Sequence, residues 1–207
     1  MYYLSRIILD DTNRKVMEGF ARPSLFHGAV ERSIDGPRKR NIWRIDRFKG
    51  KSCLLLVTSE KPDLSSIQKE FGYENVQPEI KEYDAFLQKL SCGQIWRFRI
   101  KLNPVVNRDS KRIPIKSSQM KDWFMGKVES YGFTVNSDGF DIVDLRDYDF
   151  HKNGESYLKK EPKVRFKTVT FEGILTITDS EKIKSALVTG IGKEKAFGCG
   201  LLTLAGL

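Results

Sequence analysis

Residues 94–102 read QIWRFRIKL, and the alternation in that stretch decides the fold. Trp96, Phe98, Ile100 and Leu102 fall on one side, Arg97, Arg99 and Lys101 on the other. A period of two belongs to a strand with one buried face and one wet face. Asn103-Pro104 ends it, and the basic, polar stretch from Asn107 to Lys116 reads as loop. A helix is expected from about Ser117 to Tyr131, where Met120, Trp123, Phe124 and Val128 share a face. Two strands, Phe140 to Phe150 and Lys163 to Ile177, follow around a polar loop at Lys152-Asn153-Gly154. A short helix from Ser180 to Val188, a glycine-rich loop and an apolar strand at Leu201 to Leu204 close the half.

The preceding ninety residues repeat the order. Residues 2–9, YYLSRIIL, form a strand, and a helix opens near Pro23, carries Phe26, Ala29, Val30 and Ile34 on one face, and stops at Gly36-Pro37. Asn41 to Phe48 alternates as a half-buried strand, with Arg44 and Asp46 on the side away from Trp43 and Ile45. Cys53 to Val57 is a continuous apolar run, the mark of a central strand. Asp63 caps a short helix through Phe71, and a weaker extended segment precedes Leu90. Strand, helix, strand, strand, helix, strand is the split βαβ order, so the sequence predicts an α+β protein of two tandem ferredoxin-like (RRM-like, βαββαβ) domains, 1–90 and 91–207.

Composition narrows the function classes. Forty per cent hydrophobic residues, with 13 Phe, 7 Tyr and 3 Trp among 207, exclude a disordered chain. No apolar run approaches the ~18 residues of a membrane span, and the N-terminus meets Arg6 and Asp10 too early for a signal peptide, so the expectation is a soluble, cytoplasmic protein with no membrane partner. Thirty-six basic against 27 acidic side chains leave a net charge of +9, which favours a polyanionic partner. Cys53, Cys92 and Cys199 are an odd, scattered set without a zinc-type pair and read as buried reduced thiols.

Several groups are candidates for chemistry. Gly190, Gly192, Gly198 and Gly200 surround Lys193 and Lys195 in GIGKEKAFGCG, a loop suited equally to approach a phosphate or to cap a helix. Lys163, Arg165 and Lys167 share one face of a strand with no anion interleaved, and Arg97, Arg99 and Lys101 repeat the pattern. Arg108, Lys111, Arg112 and Lys116 form a third basic cluster. His27 sits just inside the first helix, within a turn of Ser24 and Glu31, and imidazole is the side chain suited to moving protons at neutral pH. A packed structural histidine is the more common case. Asp138, Asp141, Asp144, Asp147 and Asp149 raise the rival of a Mg²⁺-dependent nuclease, but strand spacing would scatter them over both faces.

The run FEGILTITDSEKIKSALVTGIGKEKAFGCGLLTLAGL, Phe171 to Leu207, closely resembles the C-terminus of the CasE family, the CRISPR-RNA-processing endoribonucleases of type I-E systems. MYYLSRIIL at the start, the Arg97-x-Arg99 strand ending in Asn103-Pro104, and a helix histidine fall in the family's order. The resemblance implies metal-independent cleavage of precursor RNA at the base of a repeat hairpin, with no cofactor. Its implied partners are the repeat RNA and the other subunits of the Cascade complex. His27 matches the family's histidine and becomes the catalytic candidate. The family often places a tyrosine three residues earlier; this chain has Ser24 there, which joins Lys163, Arg165 and Lys167 as candidate catalytic support. Lys159 and Lys160 lie where the family presents further cations to RNA. The implied chemistry is attack by the RNA's own 2′-OH, leaving a 2′,3′-cyclic phosphate (or the 3′-phosphate from its opening) and a 5′-OH. The rival on the same fold is a non-catalytic RNA-binding subunit.

Overall fold

A computed structural model describes residues 1–34, 41–109, 111–151 and 163–207. Two four-stranded antiparallel sheets organise the chain. The first has the order β2-β3-β1-β4, from β1 (Tyr3–Ile8), β2 (Ile42–Phe48), β3 (Lys51–Thr58) and β4 (Glu79–Glu82). The second has the order β10-β5-β9-β8, from β5 (Ile95–Leu102), β8 (Phe133–His151), β9 (Lys163–Ile177) and β10 (Leu202–Ala205). In both, the first and third strands of the unit are central and the fourth lies beside the first, as the ferredoxin-like order requires.

Helices cover one face of each sheet because their apolar stripes need burial. In the first unit α1 (Arg14–Ala21), α2 (Ser24–Arg32) and α3 (Ser65–Phe71) bury Val16, Phe26, Ala29, Val30, Ile67 and Phe71 with Ile7, Trp43, Leu54 and Leu56 of the strands. The sequence predicted a single helix between the first two strands, and there are two. Asn13 caps α1 by accepting from the Lys15 amide at 2.8 Å, and Pro23 then restarts the chain as α2, its missing N–H costless at that point. A short α4 (Asp84–Leu87) was likewise not anticipated.

In the second unit α5 (Met120–Val128) and α6 (Ser180–Thr189) pack on a phenylalanine core. Phe124 stacks on Phe171 with ring centroids 4.3 Å apart, and Phe98, Phe133 and Phe140 close round the pair. β8 begins at Phe133, seven residues before the expected Phe140, and regains register with β9 through two irregularities, between Val135 and Phe140 and between Ile142 and Asp144. Extra residues at such bulges break the clean alternation that makes a strand readable. The supposed loop from Asn107 to Lys116 holds the hairpin of β6 (Val105–Arg108) and β7 (Lys111–Pro114). The expected loop at Lys152-Asn153-Gly154 and the helix stop at Gly36-Pro37 lie outside the described residues.

The second face of the first sheet is not wet. Ile42, Val57, Tyr83, Leu87 and Leu90 join the buried cluster of Ile100, Leu102, Leu187, Leu201 and Leu202, so the two units share a core. Arg44, read from the sequence as a solvent-facing strand residue, is fully buried at that junction. Its guanidinium donates to both carboxylate oxygens of Asp46, at 2.8 and 2.5 Å, and to the Arg99 carbonyl at 2.8 Å. It also reaches the Leu201 carbonyl and Thr203 Oγ1. Burial works to raise the Asp46 carboxyl, but the charge and hydrogen bonds of Arg44, with Arg99 and Lys101 behind them, outweigh it and hold the group below the usual carboxylate range.

Arg44→Met therefore leaves the buried Asp46 carboxylate with Arg99 alone and takes the side-chain donor from the Leu201 carbonyl, and should cost about 3–5 kcal/mol in chemical denaturation. Because the folded-state value of Asp46 is depressed, its contribution is present above the unfolded carboxylate value and is lost as pH falls through the folded one. The stability gap between parent and Asp46→Asn should accordingly shrink in denaturation curves taken below about pH 4.

Candidate functional site

His27 stands on α2 with 19 % of its side chain exposed and Nδ1 3.9 Å from Oε1 of Glu31, one turn on. Ser24 opens the same helix one turn earlier. The helix is pinned from two directions: Phe26 packs edge-on to Trp43 with centroids 6.0 Å apart, and α2 rests against the 3-10 turn Lys195–Phe197 of the glycine-rich loop.

That loop is built as a clasp. Gly190, Gly192, Gly198 and Gly200 all have positive φ. Lys195 Nζ donates to the carbonyls of Thr189 and Gly190, at 2.7 and 2.8 Å, where α6 ends, so its charge sits on the helix terminus. Lys193 Nζ reaches Asn107 Oδ1 at 2.9 Å and Glu194 pairs with Arg112 at 2.5 Å, which ties the loop to the β6–β7 hairpin. Arg108 and Lys111 are exposed on that hairpin, and so is Lys116 just after it.

The strand cations are held differently from the sequence reading. Lys163, Arg165 and Lys167 share one face of β9, but the anions absent from their own strand come from β8, in register. Lys163 and Arg165 meet Asp149 at 2.9 and 3.1 Å, and Lys167 meets Asp147 at 3.6 Å. Arg99 pairs with Asp46 at 3.1 Å and with Glu172, whereas Arg97 is exposed beside it. Lys159 and Lys160 lie outside the described residues.

Four of the five aspartates of the β8 series are matched to cations, since Asp141 meets Lys121 at 2.8 Å and Asp144 meets Arg146 at 3.1 Å. Among the described residues, no cluster of three His, Cys, Asp or Glu side chains is placed to hold a metal ion. Of the cysteines, Cys92 is exposed, contrary to expectation, while burial pushes the Cys53 thiol up to about 11 and the Cys199 thiol up to about 12. Neither buried thiol is a nucleophile near neutral pH.

Between α1, α2 and β2 of the first unit and the polar face of the second sheet runs a cleft of about 700 Å³. Pro23 and Phe26 line it beside His27, and Arg99, Lys101, Arg146, Tyr148 and Phe197 form the opposite wall. Neither Arg146 nor Tyr148 stands out in the sequence as a site residue; the bulge at Ile142–Asp144 hides their shared face with Lys101 from a period-two reading.

A family model described as CRISPR associated protein matches residues 2–206. The chain belongs to that family. It is 29% identical to the CRISPR-associated endoribonuclease Cse3 of Thermus thermophilus over 98% of this chain and 99% of that one. It is 31% identical to the CRISPR system Cascade subunit CasE of Escherichia coli K12, over 58% of this chain and 62% of that one. The solved structure of Thermus thermophilus Cse3 bound to an RNA representing a pre-cleavage complex superposes with a TM-score of 0.78 at 24% identity, covering 99% and 98% of the two chains, and establishes the shared fold.

The loop's glycines differ in what they tolerate. A Cβ on Gly198, at φ +78, would sit 2.9 Å from the Trp43 ring, whereas one on Gly126 in α5 meets nothing within 4 Å. Gly198→Ala should lose about 2 kcal/mol or more and Gly126→Ala should gain roughly 0.5–1 kcal/mol, both read from denaturation midpoints.

Proposed function

We propose that this chain is the endoribonuclease that processes CRISPR precursor RNA, cutting at the base of the repeat hairpin by a metal-independent transesterification in which His27 moves the proton. The observation that carries the reading is family membership over nearly the whole chain, joined to a full-length relative named as an endoribonuclease. The placement of a part-exposed histidine on α2, the helix whose Pro23 and Phe26 line a cation-lined cleft, supports it.

RNA carries its own nucleophile, so the protein's tasks are few. It holds the 2′-OH in line with the adjacent phosphorus, moves protons, and neutralises the charge that grows on the phosphoryl oxygens. The imidazole of His27 acts as base toward the 2′-OH or as acid toward the 5′-oxygen, and Glu31 orients it. Ser24, one turn away, and the cations of β9, Lys163, Arg165 and Lys167, are the support this reading assigns; Asp149 and Asp147 preset the geometry of those cations before RNA arrives. Hairpin phosphates engage the exposed basic residues of β5 and of the β6–β7 hairpin, Arg97, Arg108 and Lys111 among them, through the shape of the A-form helix.

The two units divide near residues 90 and 91 in this reading, the first carrying the histidine and the second most of the RNA surface. In this reading the chain keeps its product and serves as a subunit of a Cascade complex, the assembly for which the Escherichia coli relative is named. No helix among the described residues is long and apolar enough to cross a membrane, and the cytoplasm, where transcripts are made, is the compartment proposed.

Single-turnover cleavage of a repeat hairpin in excess EDTA tests the reading. The parent should cut to a 2′,3′-cyclic phosphate or 3′-phosphate end and a 5′-OH, identified by mass spectrometry. His27→Ala should cut on the order of 10²–10⁴-fold more slowly while still shifting the hairpin in a gel. A 2′-deoxy ribose at the scissile position should bind and stay intact. Cleavage of that analogue, or cleavage by His27→Ala at the parent rate, would remove the mechanism.

A further inference from the structure

The cleft between the two units has a charge pattern that the fold does not account for. Two of its three carboxylates are matched by cations, Asp46 by Arg44 and Arg99 and Asp144 by Arg146, while Asp11 accepts from the Ser52 amide at 3.2 Å. Two cations are left over. Arg47 is exposed at the rim. Lys101 is half-buried in the wall, donates no hydrogen bond and has no carboxylate within ion-pair distance among the described residues. A desolvated ammonium without a partner is costly, and folding offers no return for it here. Burial drives its charged form down and Asp144 works to restore it, while Arg146 and Arg44 add to the fall. Two further wall residues share the deficit, since Trp43 Nε1 and Thr170 Oγ1 are buried with no hydrogen-bond partner.

Beside these groups lies an aromatic surface. Tyr148 stacks on Phe166 with centroids 4.9 Å apart and Phe166 on Phe197 at 5.2 Å, and both Tyr148 and Phe197 line the cleft while remaining part-exposed. Stacked rings next to unmatched cations are what an unpaired nucleotide asks for: a face for the base and a charge for the phosphate. The volume, about 700 Å³, lies within the roughly 300–1,000 Å³ of sites that enclose small ligands, and is too confined for a duplex about 20 Å across. Phe26 of the cleft wall and His27 are consecutive residues of α2, so the cleft and the catalytic candidate share one helix.

We infer that this cleft is a binding site for the unpaired RNA nucleotides flanking the hairpin next to the scissile bond, with a phosphate on Lys101 and a base against Tyr148 and Phe197. The inference rests on the function proposed above and adds a second contact to it: the hairpin is gripped elsewhere, and the cleft takes the single strand that must be drawn taut for in-line attack.

The test compares two synthetic RNAs built on the repeat of the protein's own CRISPR array, each with a 2′-deoxy ribose at the cut site: the hairpin alone and the hairpin with its unpaired flanks, each flank also added singly. Binding is measured by fluorescence anisotropy over a series of salt concentrations. In the parent, the flank on at least one side should tighten binding by tenfold or more. In Lys101→Met that gain should fall to near unity, with the salt slope for the flanked RNA lowered by about 0.7. Loss of the unpartnered ammonium should leave the melting temperature equal or higher, so weakened binding cannot be laid to misfolding. Arg47→Gln, a change at an exposed side chain of the rim, should lose part of the same gain. A flank gain that survives both substitutions overturns the cleft as the site, as does a parent that binds both RNAs equally, and either result leaves the proposed function standing. A parent that fails to bind even the bare hairpin overturns both.

Discussion

A single buried guanidinium sets the geometry of this molecule. Arg44 lies on the edge strand of the first sheet, yet its partners belong to β5, to the start of β10 and to its own β2. An arginine without access to water has five N–H groups to satisfy, and the positions that satisfy them are few. The apolar contacts between Ile42, Val57, Leu102 and Leu201 bring the units together without fixing their angle, because burial is not directional. Arg44 supplies the direction, and with it the distance between α2 and the polar face of the second sheet across which the cleft opens.

The glycine-rich loop completes the same frame from the other side. Four positive-φ glycines fold it tightly, Lys195 neutralises the end of α6, and the turn that follows presses on the helix carrying His27. Of the two uses such a loop invites, the cap is the one whose hydrogen bonds are made within the chain. Its Lys193 and Glu194 reach out to Asn107 and Arg112, so the β6–β7 hairpin, the loop and α2 form a mechanical series from the basic surface to the imidazole.

The sequence made some of this plain and hid the rest for physical reasons. Strict alternation over Ile95–Leu102 marks β5 because one face is apolar and the other charged, and Asp179 marks the start of α6 because two amides need its carboxylate. The β6–β7 hairpin has no buried residue inside its strands except through neighbours, so Val105–Arg108 and Lys111–Pro114 show no period to read. Arg44 and Asp46 alternate as a wet face would, and only the second unit, absent from any local window, turns that face inward. His27 was legible as a residue type with a place on a helix; the cleft beside it was not, since its walls come from residues about 75 to 170 positions later in the chain. Those positions meet through sheet register alone.

The pairing of so many cations changes what a basic surface does. Arg112, Lys121, Arg146, Lys163, Arg165 and Lys167 already face carboxylates, so a phosphate that arrives at one of them trades one anion for another. Exchanges of that kind are close to balanced in exposed positions, where a salt bridge contributes little. They fix where each side chain points and yield little affinity for an arbitrary polyanion. Net attraction then falls to cations that no carboxylate meets, Arg97, Arg108, Lys111, Arg47 and Lys101 among the described residues. A protein that works in a cell full of RNA gains from this division: loose electrostatic capture is weakened by the internal carboxylates, and tight binding is kept for an RNA whose phosphates reach all the unmatched charges at once.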